Sequence, residues 1–127
     1  MSAVESCRVY VVLITAPPGE AAGIARRLVE ERVAACVNVV ERVRSIYWWE
    51  GRVQEDSESL LVAKTRGDAL ERLVSLVREI HPYQVPEVLA LPVERGLREY
   101  LDWVCGEVRA SGGHGGAEAG GGAREEE

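Results

Sequence analysis

Apolar positions change their spacing along the chain, and each change marks an element. Val9–Thr15 is a nearly unbroken run of β-branched and aliphatic residues, which predicts a central strand covered on both faces. Pro17-Pro18-Gly19 ends it. Ala21, Ile24, Ala25, Leu28 and Val29 then recur at helical spacing, with Arg26, Arg27, Glu30 and Glu31 off that stripe. The pattern predicts an amphipathic helix with Glu20 set against the positive end of its dipole.

Cys36–Trp49 is rich in Val, Ile, Tyr and Trp and reads as a long strand with an irregularity at Val40-Glu41. Glu50-Gly51 supplies a turn, and Arg52–Thr65 returns as the hairpin partner. The polar half of that partner is Gln54–Glu58, and the apolar half, Leu60–Ala63, is expected to be the buried end. Asp68 is placed to cap a second helix, with Glu71 three residues on. Leu70, Leu73, Val74, Val77 and Ile80 form its stripe, and His81-Pro82 stops it, because proline disfavours helix in the residue before it. Val85–Val93 reads as a fourth strand whose prolines limit its pairing. Leu97, Tyr100, Leu101 and Val104 predict a last short helix.

The order is β-α-β-β-α-β with an added C-terminal helix. Two right-handed β-α-β crossovers joined by a central hairpin give an α+β, ferredoxin-like sandwich, a four-stranded antiparallel sheet with both helices on one face. This domain is expected over residues 8–108, after an N-terminal segment at 1–7. The glycine- and glutamate-rich stretch at 109–127 has no large aliphatic residue to bury, so a disordered tail is expected there.

Adjacent residues on a strand point to opposite faces, so one core cannot bury both Trp48 and Trp49. Either one is left exposed or a partner subunit covers it. Tyr47, Trp48 and Trp49 are therefore assigned to an oligomer interface, where aromatic residues are enriched.

Composition narrows the function. The chain has 127 residues, 46% hydrophobic, with 15 basic groups against 21 acidic ones and a formal net charge of −6. Without a cluster of Lys and Arg, nucleic-acid binding is disfavoured. No apolar run approaches the ~20 residues of a membrane-spanning helix. The N-terminus does not read as a signal peptide, so a cytoplasmic protein is expected. Three cysteines, Cys7, Cys36 and Cys105, are odd in number and form no CxxC pair. That argues against a disulfide framework and a zinc finger, and Cys36 is expected to be a small buried thiol. A nucleophile motif beside the body's single imidazole, His81, is lacking, as is a phosphate-binding glycine loop, so no enzymatic activity is expected.

Ile14-Thr15-Ala16-Pro17, the run Leu28–Asn38, Ser45–Gly51, Glu55–Glu58, Lys64-Thr65, His81–Glu87 and Tyr100–Trp103 together resemble the CutA family of divalent-cation tolerance proteins. The resemblance implies a ferredoxin-like subunit in a homotrimer similar to the PII signalling proteins, with a link to tolerance of copper and other divalent cations. In some members a Cys before Thr-Ala-Pro and a His-His pair before Pro-Tyr are proposed copper ligands. Here Ile14 and Ile80 occupy the first position and the first half of the pair, which leaves His81 as the candidate metal ligand. Glu87, Cys36 or the carboxylates Glu55, Asp56 and Glu58 of another subunit are possible further donors. His81 is also read as a helix terminator, and the acids as a solvated strand edge or as partners of arginines across subunits. Tyr83 is expected to pack in the loop after the second helix. A PII-like sensor binding a small metabolite between subunits is the alternative function.

Overall fold

The computed structural model describes residues 7–109. Its elements are β1 (Val9–Ala16), α1 (Pro18–Glu30), β2 (Cys36–Trp49), β3 (Arg52–Arg66), α2 (Leu70–Ile80), β4 (Val88–Pro92) and α3 (Arg98–Glu107). The expected tail lies outside the described residues, apart from Arg109. The sheet is antiparallel in the order β2-β3-β1-β4. This is the arrangement that two crossovers and a central hairpin produce.

Alternation sorts the sheet residues into two sets. Val12, Ile14 and Ala16 of β1 and Leu61 and Ala63 of β3 are buried with Ile24, Ala25 and Leu28 of α1 and Leu73, Leu76 and Val77 of α2. Val11 and Leu13 take the intervening positions and are half-buried, while their β4 partners Leu91 and Leu89 are exposed. The strand expected to be covered on both faces is thus covered by α1 and α2 on one, and on the other only at its Val9 end, where α3 packs. An aliphatic run specifies burial without saying whether the covering comes from the same chain.

Local chemistry explains the boundaries. Pro18 opens α1 at its first position, where the missing N–H removes no intrahelical bond. The β2–β3 turn has positive φ at both Glu50 (54°) and Gly51 (78°), the sense that suits the twist of a two-residue hairpin. The expected irregularity is a register shift between Val40 and Val43.

Two local expectations are corrected. Asp68 does not cap α2. Its carboxylate accepts from Arg66 Nε at 2.8 Å within a 3₁₀ turn at Gly67–Ala69, and α2 starts at Leu70 without a side-chain cap. The arginine offers a charged donor, stronger than a backbone N–H. The fourth strand is shorter than expected. Pairing runs from Tyr10↔Pro92 to Ile14↔Val88, so Val85–Glu87 stay outside the ladder.

A third correction concerns the cysteines. Cys7 and Cys105 form a disulfide across 98 residues of chain, with Cα atoms 6.3 Å apart. Cys36 is free and half-buried. Counting cysteines and their spacings missed the pair because tertiary packing creates it: Val104 and Cys105 of α3 cluster with Val9, next to Cys7. The same end is tied by Arg66 Nη1 to the Cys105 carbonyl and by Thr65 Oγ1 to the Val33 carbonyl, at 2.8 and 2.7 Å.

Candidate functional site

At the other end β2 and β3 leave the sheet. The β1 pairing stops at Ala16↔Ser59, and from Val43↔Glu58 to Trp49↔Arg52 the two strands pair only with each other. The projecting ribbon carries Ile46, Trp48 and Val53 at 61%, 73% and 58% exposure, with Tyr47 and Trp49 also exposed. Of the two possibilities for the tryptophan pair, the chain by itself realises neither a buried Trp48 nor a buried Trp49.

A cleft of about 630 Å³ lies at the root of the ribbon, lined by Thr15, Tyr47, Trp49, Glu58, Tyr83 and Glu87 among others. Four elements converge to build it: the end of β1, both strands of the ribbon, and the loop after α2. Its size falls in the range of small-molecule sites, which are roughly 300–1,000 Å³ and combine apolar walls with a few convergent polar groups.

Two tyrosine–carboxylate pairs organise the polar side. Tyr83 Oη donates to Glu58 Oε2 at 2.7 Å, and the Tyr47 hydroxyl donates to Asp56. Burial pushes the Tyr83 phenol well above its ordinary value, and the hydrogen bond and charge of Glu58 push the same way. For Tyr47 the hydrogen bond to Asp56 is the main cause of an upward shift. Both hydroxyls therefore stay protonated as donors at neutral pH, rather than serving as bases.

Glu58 departs from the expectation of a solvated acidic edge, because it is buried, at 7% exposure. Glu55 follows the expectation more closely. It is exposed and pairs with Arg44 at 2.8 Å within the ribbon.

His81 is buried as well, at 7% exposure, where α2 ends. Its Nδ1 accepts the Tyr83 backbone N–H at 3.1 Å, and Nε2 lies 2.8 Å from the Thr15 carbonyl oxygen. A carbonyl only accepts, so the ring is assigned the tautomer with its proton on Nε2. Its centroid lies 4.7 Å from that of Tyr83. The imidazole thus joins β1 to the loop that carries Tyr83, and both nitrogens are engaged within the chain. Among the described residues no group of three or more His, Cys, Asp or Glu is placed to hold a metal ion. Within one chain, the residues beside His81 do not fit a copper or zinc centre, which takes imidazole and thiolate donors.

The expected site residues thus fall into separate places. Tyr47 and Trp49 reach both the ribbon surface and the cleft, Trp48 belongs to the exposed surface, and His81 lies behind the cleft as a support. The Glu58–Tyr83 pair was missed. Its members are 25 residues apart and neither has a local signature, although both fall in stretches that carry the family resemblance.

An antiparallel four-stranded sheet with this strand order, two helices on one face and a long projecting hairpin defines a ferredoxin-like α+β protein of the PII-like kind. Residues 10–107 match the family described as CutA1 divalent ion tolerance protein, and the chain belongs to that family. It is 56% identical over 95 residues to the divalent-cation tolerance protein CutA of Thermus thermophilus, an alignment that covers 74% of this chain and 92% of that one. A solved structure of the divalent cation tolerance protein from Thermus thermophilus is similar with a TM-score of 0.77 at 51% identity, over 79% of this chain and 98% of the other. The PII-like protein CutA from Nostoc, in apo form, gives a TM-score of 0.76 at 41% identity, over 80% and 98%. The chain spans a little over half the length of its plant and animal relatives, for example 58% of the rice protein.

Proposed function

We propose that the chain acts in divalent-cation tolerance as a non-enzymatic homotrimer that engages copper-type ions weakly, with donors from more than one copy. The observation that carries this reading is the ribbon. Isolated two-stranded hairpins are marginally stable in water, yet this one projects from the sheet with Ile46, Trp48 and Val53 exposed. Contiguous exposed apolar surface of this kind is the mark of an interface. Closed assembly would cover the ribbon and bring three copies of each donor to common boundaries. The family description supports the cation link, and a site shared between copies agrees with His81 being fully engaged inside one chain.

Sedimentation equilibrium combined with calorimetric titration tests the proposal. The expected result is a particle of three 13.9 kDa chains that takes up Cu²⁺ or Zn²⁺ saturably, with the chain's other histidine, His114 of the glycine- and glutamate-rich stretch, replaced by Ala so that it contributes nothing. A monomer, or a trimer that binds neither ion, would overturn it. Running His81→Ala in parallel tests that imidazole as a ligand, since uptake that persists in a variant still trimeric excludes it.

A second reading has its own observation. The cleft has the volume and the mixed aromatic and polar lining of a small-molecule site. A PII-like sensor that binds a small metabolite there, beside a neighbouring subunit, would use the ribbon to report occupancy.

A further inference from the structure

Among the described residues Glu58 combines burial and charge without a cation. It accepts a hydrogen bond from Tyr83. It belongs to none of the ion pairs, which join Arg27 to Glu31, Arg32 to Glu107, Arg44 to Glu55 and Arg66 to Asp68. A carboxylate withdrawn from water without a counter-charge is unfavourable, and a neutral hydroxyl supplies a hydrogen bond but no charge. The contrast with Arg66 is direct, since that buried guanidinium has both a carboxylate and a carbonyl.

Glu58 is not sealed off, because it forms part of the cleft wall. Around it stand the rings of Tyr47, Trp49 and Tyr83 and a second carboxylate at Glu87, with no Lys or Arg among the described residues of the cleft wall. Aromatic faces attract organic cations, guanidinium above all, through the ring quadrupole. A small divalent ion instead asks for several oxygen donors at fixed distances, and the described residues offer no group of three. Acidic charge and aromatic walls together select a cation with carbon attached.

We propose that this cleft binds an organic cation, a guanidinium or primary ammonium compound, whose charge pairs with Glu58 while its carbon skeleton lies against Tyr47, Trp49 and Tyr83. The assignment rests on the small-molecule reading of the cleft and gives its ligand a chemical class. Tyr83 then has a positioning role: it holds the Glu58 carboxylate by one oxygen, and His81 in turn holds the Tyr83 backbone.

The test uses the full chain and agmatine, a molecule with a guanidinium at one end and an amine at the other. Calorimetry and the change in intrinsic tryptophan fluorescence, to which Trp49 in the cleft wall contributes, report binding, with butylurea as the uncharged comparison. Saturable binding of agmatine, absent for butylurea and weakened at least tenfold by Glu58→Gln, is expected. The unliganded Glu58→Gln protein should melt no lower than the parent, because it loses a charge without a counter-charge while the amide oxygen can still accept from Tyr83. Glu87→Gln, on the exposed rim, should weaken binding less and serves if the first variant folds poorly.

Equal binding by Glu58→Gln and the parent would overturn the proposal. Binding of ATP without agmatine would overturn the cationic class and leave the small-molecule reading standing. Uptake of Cu²⁺ lost in Glu58→Gln, without agmatine binding, would overturn the organic class in favour of a metal. If neither small molecule binds and Glu58→Gln melts lower and dissociates, a basic side chain of a second copy occupies the cleft, and both readings fall.

Discussion

One strand, β3, has two ends with opposite surroundings. From Ser59 to Arg66 it runs through the middle of the molecule, paired with β1 throughout and with β2 as well from Leu60 to Lys64, and its buried face packs in the core with α1 and α2. Its final residues are fastened to α3 through Arg66 and lie near the Cys7–Cys105 disulfide. From Arg52 to Glu58 it is paired on one side and bears exposed Val53. The first end is self-sufficient, with none of its large apolar groups exposed. The second is built as though another surface were to be added. The first end holds the chain together, and the proposed function places recognition at the second, so mutations should separate the two.

The largest effect is expected at the enclosed end. Leu61 is fully buried in the core that β3 shares with both helices, and Leu61→Ala would leave a cavity that the surrounding side chains fill only in part. Such truncations cost about 2–5 kcal/mol, and a value near the middle is expected in urea unfolding. Reducing the disulfide comes next. A cross-link that closes a loop of this length stabilises by up to about 4–5 kcal/mol through denatured-chain entropy, and measured values more often lie near 2–4. Cys7→Ser should match wild-type protein in reductant and fall below it in oxidant. Equal melting of both proteins in oxidant would mean that α3 is held by packing and the Arg66 bond alone.

The two ends also differ in how far they can be read from sequence. Period-3.6 and period-2 patterns place α1, β2, β3 and α2, because each buries one face against its own chain and the pattern records that burial. The same logic reads Trp48-Trp49 as more apolar surface than one core can use. It fails where a partner lies far away in sequence. Cys7 meets Cys105 and Glu58 meets Tyr83 through tertiary placement, whereas Asp68 is lost from the helix cap to a neighbour two residues away, Arg66, by local competition for its carboxylate. His81 shows the limit most clearly. Its rarity in the folded body makes it a conspicuous ligand candidate, while its two hydrogen bonds, to Thr15 and Tyr83, are invisible until β1 and the loop are brought together.

A charge placed on the ribbon should affect assembly without affecting the chain. Trp48 makes little use of its own subunit, so Trp48→Glu is expected to shift single-chain stability by no more than about 0.5 kcal/mol. At a central interface position the same change should weaken association by about 2 kcal/mol, roughly thirtyfold. Sedimentation across a dilution series separates the two quantities. A variant that stays assembled at every concentration would remove the ribbon tip from the interface and leave its exposed aromatics unexplained.

The smallest effect lies where the two ends meet, and its sign follows from the Tyr83 phenol. Burial and Glu58 hold its folded-state value above the ordinary tyrosine value of about 10. The stabilising contribution is therefore present in full below pH ~10, where both states are protonated. It is lost as the pH climbs from there toward the folded value, because the unfolded chain releases the proton first. Tyr83→Phe should remove one hydrogen bond, about 1–2 kcal/mol since the acceptor is charged, and flatten the decline in stability above pH ~10. Denaturant midpoints of parent and variant between about pH 7 and 11 measure both. Because Tyr83 touches the support residue His81 and the cleft residue Glu58, a decline of unchanged steepness would show that the loop does not hold its phenol against Glu58 in solution, and the cleft would then be without its fixed carboxylate.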